Sequence, residues 1–366
     1  MIDANLIQTT LPANWYIDPN HLQHERDAIF HQSWLFVGHL CEFAQAGSFV
    51  TRQIMRQNVF VIRGKDGELR GFYNVCLHRA HELLVGNGVA NTIVCPYHNW
   101  AYRTDGRLQK ATNARHVPDF DPSQFCLQSV RVEVCGQLVF VNLADDAPSL
   151  ASITTGLAEQ IAVEYPDISS AEMQLIDQSS WTVQANWKVD VENFLECYHC
   201  SPVHTQFCNV FEVKTQRATL FDHFIFHYAE PKPLTRAAYS YDPTIDPKRL
   251  CTWTLFPNTM IYLMPGEPSI GIMVATPHPT DPNQSVFWAK TYAPNAETAM
   301  IPALVDVMET TMQEDFAIIE SVQRGLHSKG FEQGVLLVDR ILSEKSEHTV
   351  AHFQRYVRSR MALVSV

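Results

Sequence analysis

Basic residues are scarce in this chain. Its 366 residues hold 27 Lys and Arg against 39 Asp and Glu, a formal charge of −12. That balance argues against nucleic acid or an anionic membrane as a partner. No run of about 18 apolar residues occurs, so no membrane-spanning helix is expected. The opening Met1-Ile2-Asp3-Ala4-Asn5 carries neither a basic segment nor an apolar one, so no export signal is expected and the cytoplasm is the expected compartment. No G-x-G-x-x-G follows a strand-like segment, so a nicotinamide dinucleotide is not expected to bind here. Internal repeats and low-complexity tracts are absent as well.

What is present describes a packed globular protein: 46% hydrophobic and 18% charged residues, in a chain long enough for two domains. Two short segments stand out, Cys76-Leu77-His78 and Cys95-Pro96-Tyr97-His98, with sixteen residues between them. Together they supply two thiolates and two imidazoles, the ligand set of a Rieske [2Fe–2S] centre, in which histidines replace two cysteines on one iron. A Cys2His2 zinc site uses the same residue types, but usually opens with two cysteines and closes with two histidines. Here each half carries one of each. Leu77, Pro96, Tyr97 and Trp100 are expected to shield the centre from water.

A second cluster follows about a hundred residues later: Asn186-Trp187-Lys188, then Glu192 to His199, then Pro202-Val203-His204. Two imidazoles plus one later carboxylate would make the 2-His-1-carboxylate set that leaves positions open on non-haem Fe(II). His204 is five positions after His199, about 140° on an ideal helix, so one straight helix cannot aim both at one metal. Pro202 is expected to break the helix between them. Glu196 is three residues before His199 and is expected on the same face.

With these motifs in this order, the chain resembles the oxygenase α-subunits of Rieske non-haem iron oxygenases, and the resemblance runs from Trp15-Tyr16 to the C-terminal helix. It implies that Cys76, His78, Cys95 and His98 hold the cluster and that His199 and His204 hold a mononuclear iron. The segment Gln313 to Gln323 looks like the family's late helix, where an acidic pair precedes Glu-x-x-Gln; the match makes Asp315 the third ligand, with Glu314 the runner-up. Ile318, Ile319 and Val322 are expected to give that helix its buried stripe, with Asp315 on the same side. Three departures from the family wording stand out: the first cluster loop has Leu77 and Ala80 where proline and glycine are usual, the second has Asn99 where glycine is usual, and Glu196 stands where many members have Asp. Asparagine tolerates a left-handed backbone, whereas alanine there is less easily accommodated.

The family's bridging acid carries electrons between an iron-bound histidine and a cluster histidine of the next subunit. Here that position is Glu196, flanked by Asn193, and the wording Asn193 to Cys200 is similar to the subgroup acting on quaternary ammonium compounds, including carnitine and glycine betaine monooxygenases. The resemblance implies a monooxygenase that draws electrons from a separate flavin and iron–sulfur reductase fed by NADH or NADPH, consumes O2, and works as a homotrimer. Its implied chemistry is N-demethylation or C–N cleavage. A ring-hydroxylating oxygenase acting on an aromatic acid is the alternative. An electron carrier without oxygenase activity would need only the first 150 or so residues, and this chain adds a second ligand set beyond them.

The fold class expected is α+β: a small antiparallel β Rieske domain and a larger α+β catalytic domain with an antiparallel sheet flanked by helices. Residues 1–35 read as an N-terminal helix region, 36–148 as the cluster domain and 149–366 as the catalytic domain. Lys65-Asp66-Gly67 and Thr104-Asp105-Gly106 are turn signals between short β-rich runs. Later strands are expected at 181–188, 221–229, 259–264, 270–275 and 286–292. Of nine cysteines two belong to the cluster, and the other seven are read as reduced thiols rather than a disulfide framework or iron ligands. Phe194, Tyr198, Phe207, Phe211, Phe226, Tyr228, Trp253, Phe256, Tyr262 and Trp288 are the pool from which a cage for a trimethylammonium group could be drawn, with Arg217, Lys232 or Arg236 to meet a carboxylate.

Overall fold

The computed structural model describes residues 8–169, 172–233, 237, 239–266, 268–294 and 301–363. Arg236 and Met1 to Asn5 lie outside the described residues. The chain divides into two compact units, one running from Phe30 to Ser152 and the other joining the N-terminal residues through Ile29 to the chain from Ile153 onward. No helix among the described residues is long and apolar enough to cross a membrane.

The first unit is built from short antiparallel strands: β1 (Leu35–His39), β2 (Ser48–Ile54), β3 (Gln57–Arg63), β4 (Leu69–Tyr73), β5 (Asn87–Val89), β6 (Ile93–Val94), β7 (Ala101–Tyr102), β8 (Leu108–Lys110), β9 (Ser129–Cys135) and β10 (Leu138–Asn142). One sheet runs in the order β1-β10-β9-β4-β3-β2-β5, and β6-β7-β8 form a second. Gly67 and Gly106 take φ of +86° and +87° in the two signalled turns, a region glycine enters without steric cost. Phe60, Ile62, Phe72, Ile93, Trp100 and Tyr102 pack into one core with Cys76 and Cys95.

The second unit carries β11 (Gln174–Val183), β12 (Arg217–Leu220), β13 (Phe224–Ala229), β14 (Leu250–Leu255), β15 (Thr259–Leu263), β16 (Ile270–Pro277) and β17 (Ser285–Ala293). They form an antiparallel sheet in the order β11-β17-β16-β15-β14-β13-β12. Its helices include α1 (Trp187–Phe194), α2 (Cys200–Val203), α3 (Ile301–Leu326) and α4 (His348–Ala362). The strand expected at 181–188 stops at Val183, because Asn186 caps α1: its Oδ1 accepts from Lys188 N at 3.0 Å. The N-terminal helices Asn14–Ile17 and Pro19–Glu25 belong to this unit.

Asn186-Trp187-Lys188 anchors α1. Asn186 Nδ2 donates to Tyr16 O and Pro282 O, Trp187 Nε1 donates to Glu25 Oε2 at 2.8 Å, and Lys188 Nζ pairs with Glu25 Oε1 at 2.5 Å with both side chains fully enclosed. A buried ion pair is costly to break from one side, so this contact fixes where α1 begins. Helix α3 is tied to the same place, as Glu320 accepts from Gln184 N and Gln323 accepts from Asn186 N. The stripe expected on α3 is shifted: Val322 is 45% exposed, Ile318 is half-buried, and the inner face is Met308, Met312, Phe316, Ile319, Gln323 and Leu326. Gln323 takes the inner position because its amide has backbone to satisfy there.

Candidate active site

Two loops of matching design present the first ligand set. Cys76 N donates to His81 O and Ala80 N donates to Cys76 O, both near 2.9 Å; Cys95 N donates to Trp100 O and Asn99 N donates to Cys95 O at 2.8 and 3.0 Å. Closing each loop requires a left-handed residue four positions after the cysteine, and Ala80 and Asn99 have φ of +59° and +57°. Cys76 and Cys95 are buried and unjoined, and burial pushes the Cys76 thiol up. Tyr102 OH lies 3.3 Å from Cys76 Sγ and accepts from Leu77 N at 3.0 Å.

The rings of His78 and His98 are 4.5 Å apart, and His78 stacks on Trp100. His98 Nδ1 is enclosed without a hydrogen-bond partner in the protein, as a metal-facing nitrogen would be. Two thiols and two imidazoles converging on one end of the unit fit a [2Fe–2S] centre. Of the expected shield only Trp100 is buried; Leu77 and Tyr97 are 39% and 51% exposed, and Pro96 is exposed. Leu77 is in the loop between β4 and β5, and Pro96 and Tyr97 are in the turn between β6 and β7.

In the second unit the helix that leads to the histidines ends at Phe194, before His199. Pro202 therefore lies inside α2, in the first turn, where a missing N–H removes no hydrogen bond. The expected break is made by the turn 195–199 instead, and it leaves the His199 and His204 rings 5.1 Å apart. Helix α3 brings Asp315 to them: Oδ1 is 2.9 Å from His204 Nε2 and 3.4 Å from His199 Nε2. One ligand atom from each of these three residues lies within 4.8 Å of the others, and two imidazoles with one carboxylate suit Fe(II).

Each histidine is held from behind by a glutamate. His199 Nδ1 faces Glu196 Oε1 at 2.5 Å, and His204 Nδ1 faces Glu314 Oε2 at 2.7 Å. A carboxylate at Nδ1 fixes the tautomer and frees Nε2 for a metal. Adjacent acids on α3 thus take different tasks: Asp315 reaches both Nε2 atoms, while Glu314 reaches only the far side of His204. Burial opposes the charged imidazolium at His199, but Asp315 and Glu196 outweigh it and raise that pKa to about 9; Asp315 is held below the ordinary carboxylate range by the same contacts.

Cys197 and Cys200 are joined in a disulfide, which corrects the expectation that all the remaining cysteines are reduced. The turn around His199 sets their Cα atoms 4.8 Å apart, inside the range such a bond requires. Cys41, Cys126, Cys135, Cys208 and Cys251 are not joined in disulfides.

The three candidate ligands open onto a cavity of about 90 Å³. Of the expected aromatics Phe194, Phe207, Phe211 and Tyr228 line it, while Trp253, Phe256 and Tyr262 are buried outside its lining and Tyr198 is 47% exposed. Phe287 and Phe316 line it without having been expected. Asn193 is in the wall; Arg217 and Lys232 are not. Asp190, also unexpected, is in the wall as well, and its one signal in the sequence is an acid between Val189 and Val191 on the helix that leads to the histidines. Burial, with Asp315 and Glu320 nearby, pushes its carboxyl up to about 8.

Comparison with known proteins follows the same division. Residues 33–121 match the Rieske [2Fe-2S] domain and residues 161–363 match the ring hydroxylating alpha subunit (catalytic domain). The carnitine monooxygenase oxygenase subunit of Escherichia coli (strain K12) is 34% identical over 349 residues, covering 94% of this chain and 91% of that protein. The quaternary ammonium Rieske monooxygenase CntA in complex with L-carnitine superposes with a TM-score of 0.87 at 33% identity, covering 97% and 96% of the two chains. Another structure of a quaternary ammonium Rieske monooxygenase, described as giving insights into carnitine oxidation by gut microbiota and inter-subunit electron transfer, gives 0.87 at 32% identity over the same shares.

Proposed function

Because the chain belongs to the Rieske-type oxygenase α-subunits, we propose that it oxidises a C–H bond of a small quaternary ammonium compound, by N-demethylation or C–N cleavage, with O2 and electrons from a separate NAD(P)H-dependent flavin and iron–sulfur reductase. The observation that carries this reading is the convergence of His199, His204 and Asp315 on a cavity whose described lining is aromatic and acidic and lacks lysine and arginine. A trimethylammonium group has no hydrogen to donate, so apolar and aromatic faces with negative charge nearby suit it. The likeness to carnitine-oxidising relatives along nearly the whole chain supports the same substrate class.

In this reading Cys76, His78, Cys95 and His98 hold the cluster, and His199, His204 and Asp315 hold the iron. When bound, these groups supply single electrons and a site for reducing O2. The chain's residues do the rest. Glu196 fixes His199 from behind and offers its other oxygen, which accepts from the Tyr198 and His199 N–H groups, toward a second histidine. Phe207 and Phe316 limit water at the metal side of the cavity, and Asn193 flanks Asp315.

The bridging role of Glu196 requires a neighbouring chain, and a homotrimer is the assembly we propose. Exposed Leu77 and Tyr97 beside His78 and His98 support it, since that collar would be covered by a neighbour. The test is oxygen uptake by chemically reduced, iron-loaded protein with carnitine, γ-butyrobetaine, glycine betaine or choline, set against benzoate and its hydroxylated relatives. Uptake stimulated by an amine supports the reading. Stimulation by aromatic acids alone transfers the enzyme to ring hydroxylation.

A further inference from the structure

Among the described residues three acids line the cavity, Asp190, Glu196 and Asp315, and two of them are engaged by the histidines of the proposed iron site. Asp190 is not. Its side chain is 3% exposed; Oδ2 accepts from Ser285 Oγ at 2.6 Å, and Oδ1 has no hydrogen-bond partner in the protein. A buried acid with a purely structural task has both oxygens satisfied, because an unpaired buried acceptor costs stability and returns nothing. Here one oxygen is pinned and the other is left over, in the wall of a cavity.

The surroundings of Asp190 point to what the free oxygen meets. Met273, Phe287, Phe316 and Ile319 line the same cavity, so the carboxyl of Asp190 faces a space whose remaining surface includes apolar and aromatic side chains. A methylated ammonium group needs no hydrogen-bond acceptor; it packs its methyls on apolar and aromatic faces and is attracted by one negative charge, strongly so away from water. We propose that the Asp190 carboxylate is the counter-charge that recognises the cationic head of the substrate, which makes it a specificity-determining residue of the reaction proposed above. Ser285 orients it. The inference rests on the quaternary ammonium reading and deepens it. The raised pKa of Asp190 in the empty cavity agrees, as a neighbouring cation is what would return the carboxyl to its charged form.

The experiment separates charge from shape. Holoenzyme carrying cluster and iron is titrated with γ-butyrobetaine and with 5,5-dimethylhexanoate, in which carbon replaces the cationic nitrogen, and in parallel with choline and 3,3-dimethyl-1-butanol. The variants are Asp190→Asn, which keeps shape and an oxygen for Ser285, and Ser285→Ala, which keeps the charge. Asp190→Asn is expected to weaken the better-bound cation at least about tenfold and to leave its neutral isostere within about twofold. Ser285→Ala removes the hydrogen bond that orients the carboxylate and is expected to reduce the preference for cation over isostere several-fold, and that reduction decides the matter if Asp190→Asn loses the visible absorption of the cluster.

Equal losses for cation and isostere or an unchanged cation affinity in Asp190→Asn, or a cation preference left unchanged in Ser285→Ala, would each overturn the role of Asp190. In those cases wild-type binding of the cations leaves the substrate class standing. A wild-type enzyme that binds neither cation overturns the role of Asp190 and that class together.

Discussion

Glu314 Oε2 lies 2.7 Å from His204 Nδ1, on the side of the ring opposite to Asp315. The adjacent acids of α3 therefore grip one imidazole from both edges, and Glu196 does for His199 what Glu314 does for His204. Glu314→Gln removes the charge that orients His204 while leaving all three proposed ligands in place. The expected result is a loss of roughly tenfold to a hundredfold in Fe(II) affinity with the cluster unaffected, read by anaerobic iron titration alongside the visible spectrum. Full iron affinity would place Glu314 outside the site.

Glu196 makes a different prediction although its contact looks the same. Its side chain holds His199 Nδ1 at 2.5 Å and is also the electron bridge proposed above. Glu196→Ala is expected to retain cluster and iron and to lose product formation when electrons must arrive through a reductase. Near-normal coupled turnover in that variant would remove the bridging role.

Ala80 is strained where Asn99 is tolerant. Both adopt positive φ, and a Cβ in that region costs alanine about 1 kcal/mol or more relative to glycine. Ala80→Gly is expected to raise unfolding stability by about 0.5 kcal/mol once the entropy glycine adds to the unfolded chain is subtracted from the strain relieved, measured as a shift in thermal midpoint. Asn99→Gly is expected to change it less. Equal effects at the two sites would contradict the account of the loops.

The Asp190 carboxyl sets a pH dependence. Its folded pKa of about 8 is above the unfolded value near 4, so its contribution to stability is present below that lower value and is lost as pH rises through the upper one. Substrate-free wild type is therefore expected to lose stability relative to Asp190→Asn between about pH 5 and 8. Parallel midpoint curves for the two proteins over that window would mean that Asp190 is not held neutral.

Much of this was readable in the residues themselves. Metal ligands must be particular residue types at fixed short spacings, so the proposed ligands Cys76, His78, Cys95, His98, His199 and His204 are visible in the chain before any fold is known. The antiparallel sheets were foreshadowed by β-rich runs and by the turns at Gly67 and Gly106. What stayed hidden depends on packing. Asp190 is one acid among many until α1, α3 and β17 close around it, and Val322 looked internal because periodicity does not say that Gln323 has a backbone N–H to satisfy. The break before His199 was hidden for a similar reason: Pro202 is the obvious helix breaker, but it falls where a helix start accepts it.

The central claim is that His199, His204 and Asp315 form the site at which a quaternary ammonium compound is oxidised. A single turnover tests it without the native reductase. Iron-loaded protein is chemically reduced, freed of reductant and exposed to ¹⁸O₂ with carnitine, γ-butyrobetaine, glycine betaine or choline, and the products are analysed by mass spectrometry beside a His199→Ala control. The account predicts an oxidised fragment of one amine, with trimethylamine or formaldehyde released, and none from the control. Cluster oxidation with no product from any amine, or product from the His199→Ala protein, would contradict it.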